Sequence, residues 1–212
     1  MKTNLLLTVC CSLLLMTGCM ENGSQKSDAK SNTENNTTTT TTDDGKTDGG
    51  DSKGDDSKKN DTKNSFQSAN GKFSINFPAP PAGPESSIEQ NKAGLMQIFT
   101  YSLSLSDAAG YFAFYKDYHS GVITDSNTET MLKKEADNFM KNIGSSVAKS
   151  SSERLDGNKG LSFSGTLNDT IAINMRAFFV GRRYYQFGTI ASNSEISEKD
   201  SKKFINSFEI IK

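Results

Sequence analysis

Residues 161–191 read LSFSGTLNDTIAINMRAFFVGRRYYQFGTIA and show most directly how this chain folds. The three apolar segments within them are Leu161–Leu167, Ile171–Val180 and Tyr184–Ala191. Asn168-Asp169 separates the first pair of segments, and Gly181-Arg182-Arg183 separates the second pair. Asn, Asp and Gly adopt the backbone conformations of tight turns at low energetic cost. Apolar segments joined by such short turns predict an antiparallel β-meander.

More strands are predicted on the N-terminal side of this meander. Asp156-Gly157 indicates another hairpin just before it. Ala109–Tyr118 carries aromatic residues at both alternating positions, which predicts a central strand covered on both faces. Leu95–Leu105 and Gly71–Phe77 alternate polar and apolar residues, as half-buried strands do. The four prolines of the chain lie between these last two strands and predict a loop over residues 78–93.

Two helices are predicted. Ser126 and Glu129 lie three residues apart and predict a capping box at the start of the first helix. Apolar residues then recur at helical spacing and predict a face packed on a sheet. They are Met131, Leu132, Ala136, Phe139, Met140 and Ile143. Gly144 is placed to end this helix, and a second helix that buries Phe204 is predicted to begin near Ser197.

The order of these elements indicates the fold class. Phe208, Ile210 and Ile211 predict a closing edge strand after the second helix. Helices inserted between antiparallel strands are typical of the α+β class. We therefore expect an α/β/α sandwich over residues 66–212, in which an antiparallel sheet of about six to eight strands is flanked by two main helices.

A signal peptide is predicted at the N-terminus. The apolar run over residues 5–17 follows a positively charged start and is shorter than the about 20 residues of a membrane-spanning helix. This pattern is typical of a secretory leader, here residues 1–18. Leu15-Met16-Thr17-Gly18-Cys19 resembles the bacterial lipoprotein box, which implies cleavage before Cys19 and acylation of its thiol. Two or three acyl chains anchor a protein stably to a bilayer.

Residues 19–65 are predicted to form a linker. After Cys19 they consist almost entirely of Ser, Thr, Asn, Asp, Lys and Gly. Such a stretch buries too little apolar surface to offset its conformational entropy, so we expect a disordered tether. All 13 Phe and all 6 Tyr of the chain lie in residues 66–212, which we expect to be a single folded domain.

The composition argues against several classes of protein. The 24 Lys+Arg and 25 Asp+Glu give a net charge of −1, without the basic excess that supports nucleic-acid binding. Two of the 3 Cys lie in the leader and the third is Cys19, so the mature chain would have no disulfide and no cysteine nucleophile. The sequence contains no phosphate-binding loop, nucleophile elbow or Rossmann fingerprint. We expect a protein that is not an enzyme, uses no cofactor and binds no nucleic acid.

Two polar clusters are candidate sites. His119, the one histidine, lies near Asp117 and Asp125 and gives a weak candidate for a metal or acid–base site. A solvated histidine at a strand end is the simpler interpretation, and we expect no metal. The stronger cluster combines Arg and Tyr, which are enriched at binding hot spots, although a hairpin tip needs polar residues in any case. Its members are Arg176, Arg182, Arg183, Tyr184 and Tyr185.

Three short motifs and the long mid-domain helix carry a resemblance to a known family. The motifs are Phe73-Ser74-Ile75-Asn76-Phe77-Pro78, Gly181-Arg182-Arg183-Tyr184-Tyr185 and Phe204-Ile205-Asn206-Ser207-Phe208. Together they resemble the PsbP-like superfamily, whose α/β/α sandwich also occurs in many bacterial lipoproteins. The resemblance covers residues 66–212. It implies a non-enzymatic role, commonly docking on a membrane complex or helping to assemble one.

Two functions follow as expectations. The first is an exported accessory lipoprotein, held by acylated Cys19 on the outer face of a bacterial cell membrane, or on the outer membrane if the cell has two. Its domain would dock on another envelope protein or help to assemble an envelope complex. The alternative is a lipoprotein that binds a small molecule or an ion in a pocket between sheet and helix. A cavity with convergent polar groups favours the alternative, whereas an exposed patch around Arg182, Tyr184 and Tyr185 favours docking.

Overall fold

The computed structural model describes residues 65–91, 94–192 and 194–212. The predicted signal peptide, the predicted lipidation site Cys19 and the predicted linker as far as residue 64 lie outside these ranges. Within the described ranges, no helix combines the length and the apolar character needed to cross a membrane.

Ten strands and two helices make up the described part of the chain. The strands are β1 Ser65–Ser68, β2 Phe73–Asn76, β3 Ala82–Asn91, β4 Gly94–Ser106, β5 Ala109–Asp117, β6 Lys149–Leu155, β7 Asn158–Leu167, β8 Ile171–Val180, β9 Arg183–Ala191 and β10 Glu209–Ile210. The helices are α1 Thr128–Asn142 and α2 Glu198–Asn206.

Seven strands form the main sheet in the order β3-β4-β5-β9-β8-β7-β6, and all neighbouring strands are antiparallel. The sheet consists of two consecutive meanders, β3–β5 and β6–β9, which meet where β5 pairs with β9. Asn168, Asp169 and Gly181 have positive φ at the turns between β7, β8 and β9, as these residue types tolerate. The antiparallel meander predicted over residues 161–191 is confirmed.

Alternation of side chains gives this sheet two buried faces. On β9, Tyr184 lies in the core beneath α1, whereas the next residue, Tyr185, lies in the core on the opposite face. Helix α2 and a small sheet of β1, β2 and β10 cover that opposite face. β5 is consequently buried along almost its whole length, as predicted for Ala109–Tyr118. The predicted α+β class, an antiparallel sheet flanked by two main helices, is confirmed.

Helix α1 packs on the sheet through most of the predicted stripe. Its buried apolar residues are Leu132, Ala136, Phe139 and Met140. The helix ends where predicted, because Gly144 has a φ of 77°. The N–H of Ser145 donates to the Met140 carbonyl at 2.8 Å, which completes a Schellman motif.

The capping box predicted at the start of α1 is wrong. Asn127 rather than Ser126 precedes the helix, and its side chain does not cap it. The Asn127 Oδ1 instead accepts a hydrogen bond from the backbone N–H of Thr124, three residues earlier in the chain, at 2.9 Å. Glu129 lies 3.3 Å from the ammonium of Lys159. A local turn of this kind competes with helix capping for the same side chains.

Two N-terminal predictions are also corrected. β2 is buried rather than half-buried, because it is the middle strand of the small sheet. Residues 82–91, expected within a loop over residues 78–93, form β3, an edge strand paired with β4. Pro84 fits there because the register shifts between Ala82 and Glu85 and because an edge strand tolerates a missing N–H.

The C-terminal segment closes the second face as predicted. The Ser197 hydroxyl caps α2 by accepting from the N–H of Asp200 at 3.1 Å. Phe204 and Phe208 are buried, and the ring of Phe208 stacks on Phe187 with centroids 4.1 Å apart. β10 then pairs with β2 at the edge of the small sheet.

Candidate functional site

A buried lysine lies in the aromatic strand β5. Lys116 follows Phe112 and Phe114 in alternation, so its side chain joins theirs on the face covered by α1. The residue is only 3% exposed. Its ammonium group is paired with two carboxylates, 2.7 Å from Glu89 Oε2 and 2.8 Å from Glu135 Oε2. A buried ammonium is stable only when such partners compensate for its lost hydration.

The second carboxylate comes from α1. Of the two acidic residues Glu135 and Asp137 on this helix, only Asp137 is exposed. The Glu135 side chain is 12% exposed, because its position borders the buried stripe of the helix and points it at the sheet. Its Oε1 accepts a hydrogen bond from the hydroxyl of Tyr118. Glu135 therefore links α1 to two residues at the end of β5.

This cluster carries more negative than positive charge. Glu89 and Glu135 face one cation, Lys116, whose ammonium also lies 5.4 Å from the ring of Tyr118 and 5.7 Å from the ring of Tyr184. Burial and, next, the charge of Glu135 raise the pKa of both tyrosine hydroxyls well above its usual value. Both hydroxyls consequently remain neutral donors, and the formal charge of the cluster is −1.

A cavity of about 230 Å³ opens beside this cluster, between the sheet and α1. Its charged lining residues are Glu89, Lys116 and Glu135. The remainder of the lining combines three apolar side chains with four amides. They are Ile98, Phe114 and Phe139, and Gln90, Asn138, Asn142 and Gln186.

Gln186 supplies the cavity with an unsatisfied donor. The residue is 1% exposed, and its Oε1 accepts the hydroxyl hydrogen of Tyr184 at 2.7 Å. Its Nε2 is buried and has no hydrogen-bond partner among the described residues. An unpartnered buried donor costs about 1–3 kcal/mol. Gln186 therefore contributes to the cavity lining a side chain with one buried donor that no described residue satisfies.

The Arg and Tyr side chains expected to form one binding cluster do not share an exposed surface. Arg183 binds Asp117 with both ends of its fork, Nε to Oδ1 at 2.7 Å and Nη2 to Oδ2 at 2.6 Å. The Arg183 Nη1 and the Tyr185 hydroxyl donate to backbone carbonyls of the β1–β2 turn, each at 2.7 Å. These contacts fasten the small sheet to the main one.

The other three members of that cluster lie elsewhere. Arg176 on β8 is paired with Glu153 on β6, across the intervening strand β7, and the Arg176 Nε lies 2.8 Å from the Glu153 Oε2. Arg182 is exposed at the hairpin tip, while Tyr184 is buried under α1. Tyr184 and Tyr185 are both buried on opposite faces because successive strand residues alternate. The exposed patch that would have favoured docking is therefore not formed.

The weak metal candidate is also not assembled. β5 ends at Asp117, whose carboxylate is bound by Arg183. His119 is exposed, and its Nε2 lies 3.2 Å from the carbonyl oxygen of Leu95. Nowhere in the described ranges do three or more His, Cys, Asp or Glu side chains form a group that could hold a metal ion.

A larger cavity of about 450 Å³ lies near the start of α1. The two basic side chains in its lining, Arg154 and Lys159, already have partners within the protein. Lys159 Nζ lies 3.1 Å from the Asp125 carbonyl oxygen and 3.3 Å from Glu129 Oε1. Arg154 Nη1 donates to the Gly157 carbonyl at 3.0 Å. The smaller cavity at Lys116 is the better candidate site, because Gln186 in its lining has a buried donor without a partner among the described residues.

Sequence reasoning missed the four residues of that site, although one signal was present. Lys116 stands at an inward position of a strand predicted to be covered on both faces, and a charged residue there requires buried partners. Those partners, Glu89 and Glu135, belong to a strand predicted as loop and to a helix position outside the predicted apolar stripe. Gln186 joins them only through the β5–β9 register, in which it lies opposite Phe114.

This chain is similar to at least one solved structure of another protein. No family model and no curated protein matches this chain. The solution structure of cyanobacterial PsbP (CyanoP) from Synechocystis sp. PCC 6803 is similar to it at 9% sequence identity and a TM-score of 0.46. The match covers 69% of this chain and 91% of that chain.

Proposed function

We propose that this protein is a binding protein that takes a small polar ligand into the cavity between the main sheet and α1. The observation that carries the proposal is Gln186, which lines the cavity and whose buried Nε2 has no partner among the described residues. Ligand pockets typically combine apolar walls with a few convergent polar groups, as here. At about 230 Å³ the cavity is smaller than the usual range of about 300–1,000 Å³, so the ligand has few heavy atoms.

The proposed role is binding rather than catalysis. Both carboxylates of the cavity are engaged by Lys116, and Glu135 also accepts from Tyr118. Among the described residues that line the cavity there is no His, Ser or Cys that could act as a nucleophile or shuttle a proton. His119 bonds to a backbone carbonyl instead. These features support a site that holds its ligand without transforming it.

The proposed location is the outer surface of a bacterial membrane. It rests on the sequence alone, through the secretory leader and the lipoprotein box that ends in Cys19. We infer that acylated Cys19 anchors the chain in the bilayer and that the polar linker carries the domain away from it. A ligand reaching the cavity would then come from outside the membrane that holds the anchor.

Asn138→Trp tests the proposed function. Asn138 is exposed and lines the cavity, so an indole there obstructs its mouth. We expect one or more of a panel of small amino acids, amines, carboxylates and sugars to raise the Tm of the full chain in detergent by roughly 5–10 °C at about 100 times its Kd. The Asn138→Trp variant should lose this rise.

Lys133→Trp is the matched control, because Lys133 is an exposed residue of α1 outside the cavity lining. It should respond to ligand as the wild-type chain does. A ligand response that survives Asn138→Trp, or the absence of any response in the wild-type chain, would contradict a binding function for this cavity.

Docking on an envelope protein is a second candidate function, favoured by two exposed apolar side chains. Ile88 is 64% and Leu95 61% exposed, and both lie near the tip of the β3–β4 hairpin. Exposed apolar residues grouped at a sheet edge are typical of interaction surfaces. A photo-crosslinker at position 88 should capture one protein stoichiometrically in intact cells, whereas one at Ser151, on the opposite edge strand, should not.

A further inference from the structure

We propose that the ligand of this cavity is a small zwitterion. Its ammonium group would be held by Glu89 and Glu135, and its carboxylate would accept from Gln186 Nε2. This inference rests on the proposed function, because it names the chemical class of the molecule that the cavity binds. Three observations carry it, namely the charge of the lining, the unpartnered amide of Gln186 and the strand register that places Gln186 near Lys116.

The net negative charge of the cavity lining favours a ligand that carries a cationic group. The charged lining residues are two glutamates and one lysine, so the cavity has a formal excess of one negative charge. An uncompensated charge is costly where it is shielded from water. A carboxylate can accept about four hydrogen bonds, and the contact of Glu89 with Lys116 uses one of them. Glu89, at the more exposed end of the cluster, can therefore accept from a ligand ammonium.

The Nε2 group of Gln186 favours a ligand that also carries a hydrogen-bond acceptor. The buried hydroxyl of Tyr184 must donate, and Gln186 Oε1 is the atom that accepts from it. This bond uses Oε1 and leaves Nε2, with two N–H groups, without a partner among the described residues. A carboxylate is the acceptor that bonds most strongly to an amide N–H.

The strand register places Gln186 relative to Lys116, the residue that binds both glutamates. Lys116 lies opposite Tyr184 and Phe114 lies opposite Gln186, so Lys116 and Gln186 are diagonal neighbours on β5 and β9. Diagonal neighbours on one face lie about 7–8 Å apart. The apolar side chains of Phe114, Ile98 and Phe139 line the same cavity. A few methylene groups between ammonium and carboxylate would span this distance and pack on those side chains.

Calorimetric titration of the full chain in detergent tests the inference. The probes are glycine, β-alanine and γ-aminobutyrate, with butylamine and butyrate as analogues that each lack one charged end. We expect the affinity to rise from glycine to γ-aminobutyrate as the chain lengthens toward the required span. Each analogue should bind at least about tenfold more weakly than γ-aminobutyrate, because one charged hydrogen bond is lost.

Two variants assign the ends of the ligand. Glu89→Gln should weaken γ-aminobutyrate about tenfold or more, while leaving butyrate unchanged. Glu85→Gln is the matched control, since Glu85 is an exposed carboxylate of the same strand outside the cavity lining, and it should bind γ-aminobutyrate like the wild-type chain. Gln186→Leu should weaken γ-aminobutyrate and butyrate alike. The Tm of each variant shows that it is folded.

The failure of this inference differs from the failure of the proposed function. If butyrate binds as tightly as γ-aminobutyrate and Glu89→Gln has no effect, the zwitterion is overturned. The proposed function still stands in that case, provided that Asn138→Trp abolishes the binding. If none of the five probes binds, the zwitterion is likewise overturned. The proposed function itself is overturned only when the wider panel also fails or when Asn138→Trp does not block binding.

Discussion

A single lysine shows why the cavity is interpreted as a site rather than as a stabilising feature. Burying Lys116 with Glu89 and Glu135 removes three charges from water, and such clusters often stabilise a fold no better than apolar residues of the same volume. An apolar side chain would have continued the pattern of Phe112 and Phe114 on β5. The polar cluster therefore calls for a role besides packing, and the neighbouring Gln186 Nε2 points to a ligand.

The Asp117–Arg183 pair gives a pH dependence at the residue scale. The hydrogen bonds from Arg183 hold the pKa of Asp117 below its usual value. The resulting stabilisation is present above the pKa of an unfolded-chain aspartate, about 3.9, and is lost as the pH falls through the lower pKa of the folded state. Asp117→Asn should lower the free energy of unfolding at neutral pH by about 1 kcal/mol, a value discounted because the Asp117 side chain is 36% exposed.

Urea unfolding of the wild-type chain and of Asp117→Asn between about pH 2 and pH 7 measures the contribution of the Asp117–Arg183 pair. The variant should lose less stability on acidification than the wild-type chain. Asp137→Asn is the control, because Asp137 is exposed on α1 and the change should leave the acid profile as it is. Parallel acid profiles for wild type and Asp117→Asn would show that Arg183 does not perturb the carboxylate.

At the scale of elements, the two helices begin in different ways. Ser197 caps α2, whereas Ser126 does not cap α1 and instead has its hydroxyl 3.0 Å from that of Thr124. Ser197→Ala should therefore lower the free energy of unfolding by about 1 kcal/mol, the usual value of an N-cap. Ser126→Ala should change it by less than about 0.5 kcal/mol. If Ser126→Ala and Ser197→Ala lower the free energy of unfolding equally in thermal or urea unfolding, Ser126 caps α1 as the sequence predicted.

Elements were predictable where their signal is local. Alternation and turn residues identified β4 to β9, and helical spacing identified the buried stripe of α1. The edge strand β3 was missed because Pro84 and the three prolines just before the strand suggested a loop, while its ladder depends on pairing with β4. The site was missed for a related reason. Lys116 meets Glu89 and Glu135 over sequence separations of 27 and 19 residues, which only the assembled sheet brings together.

At the scale of the whole molecule, the anchor is the property that the sequence predicts most specifically. Cys19→Ser should move the chain from the detergent-rich phase to the aqueous phase in a phase-partition experiment, because it removes the thiol that would be acylated. Cys10→Ser and Cys11→Ser are matched controls, since both residues lie in the predicted leader and would be removed with it. Partition of Cys19→Ser with detergent would exclude lipidation at this residue.

The junction between the two meanders has a consequence for the order of assembly. Each meander joins sequence neighbours, but the β5–β9 pairing closes a long loop, from Asp117 to Arg183. Loop closure of this kind is entropically costly and is expected to come after the local hairpins. Glu89 lies on the first strand of the main sheet and Gln186 on the strand that completes the junction. A chain threaded outward from its N-terminus would therefore cross the membrane without a formed cavity, and would first meet its ligand at its destination.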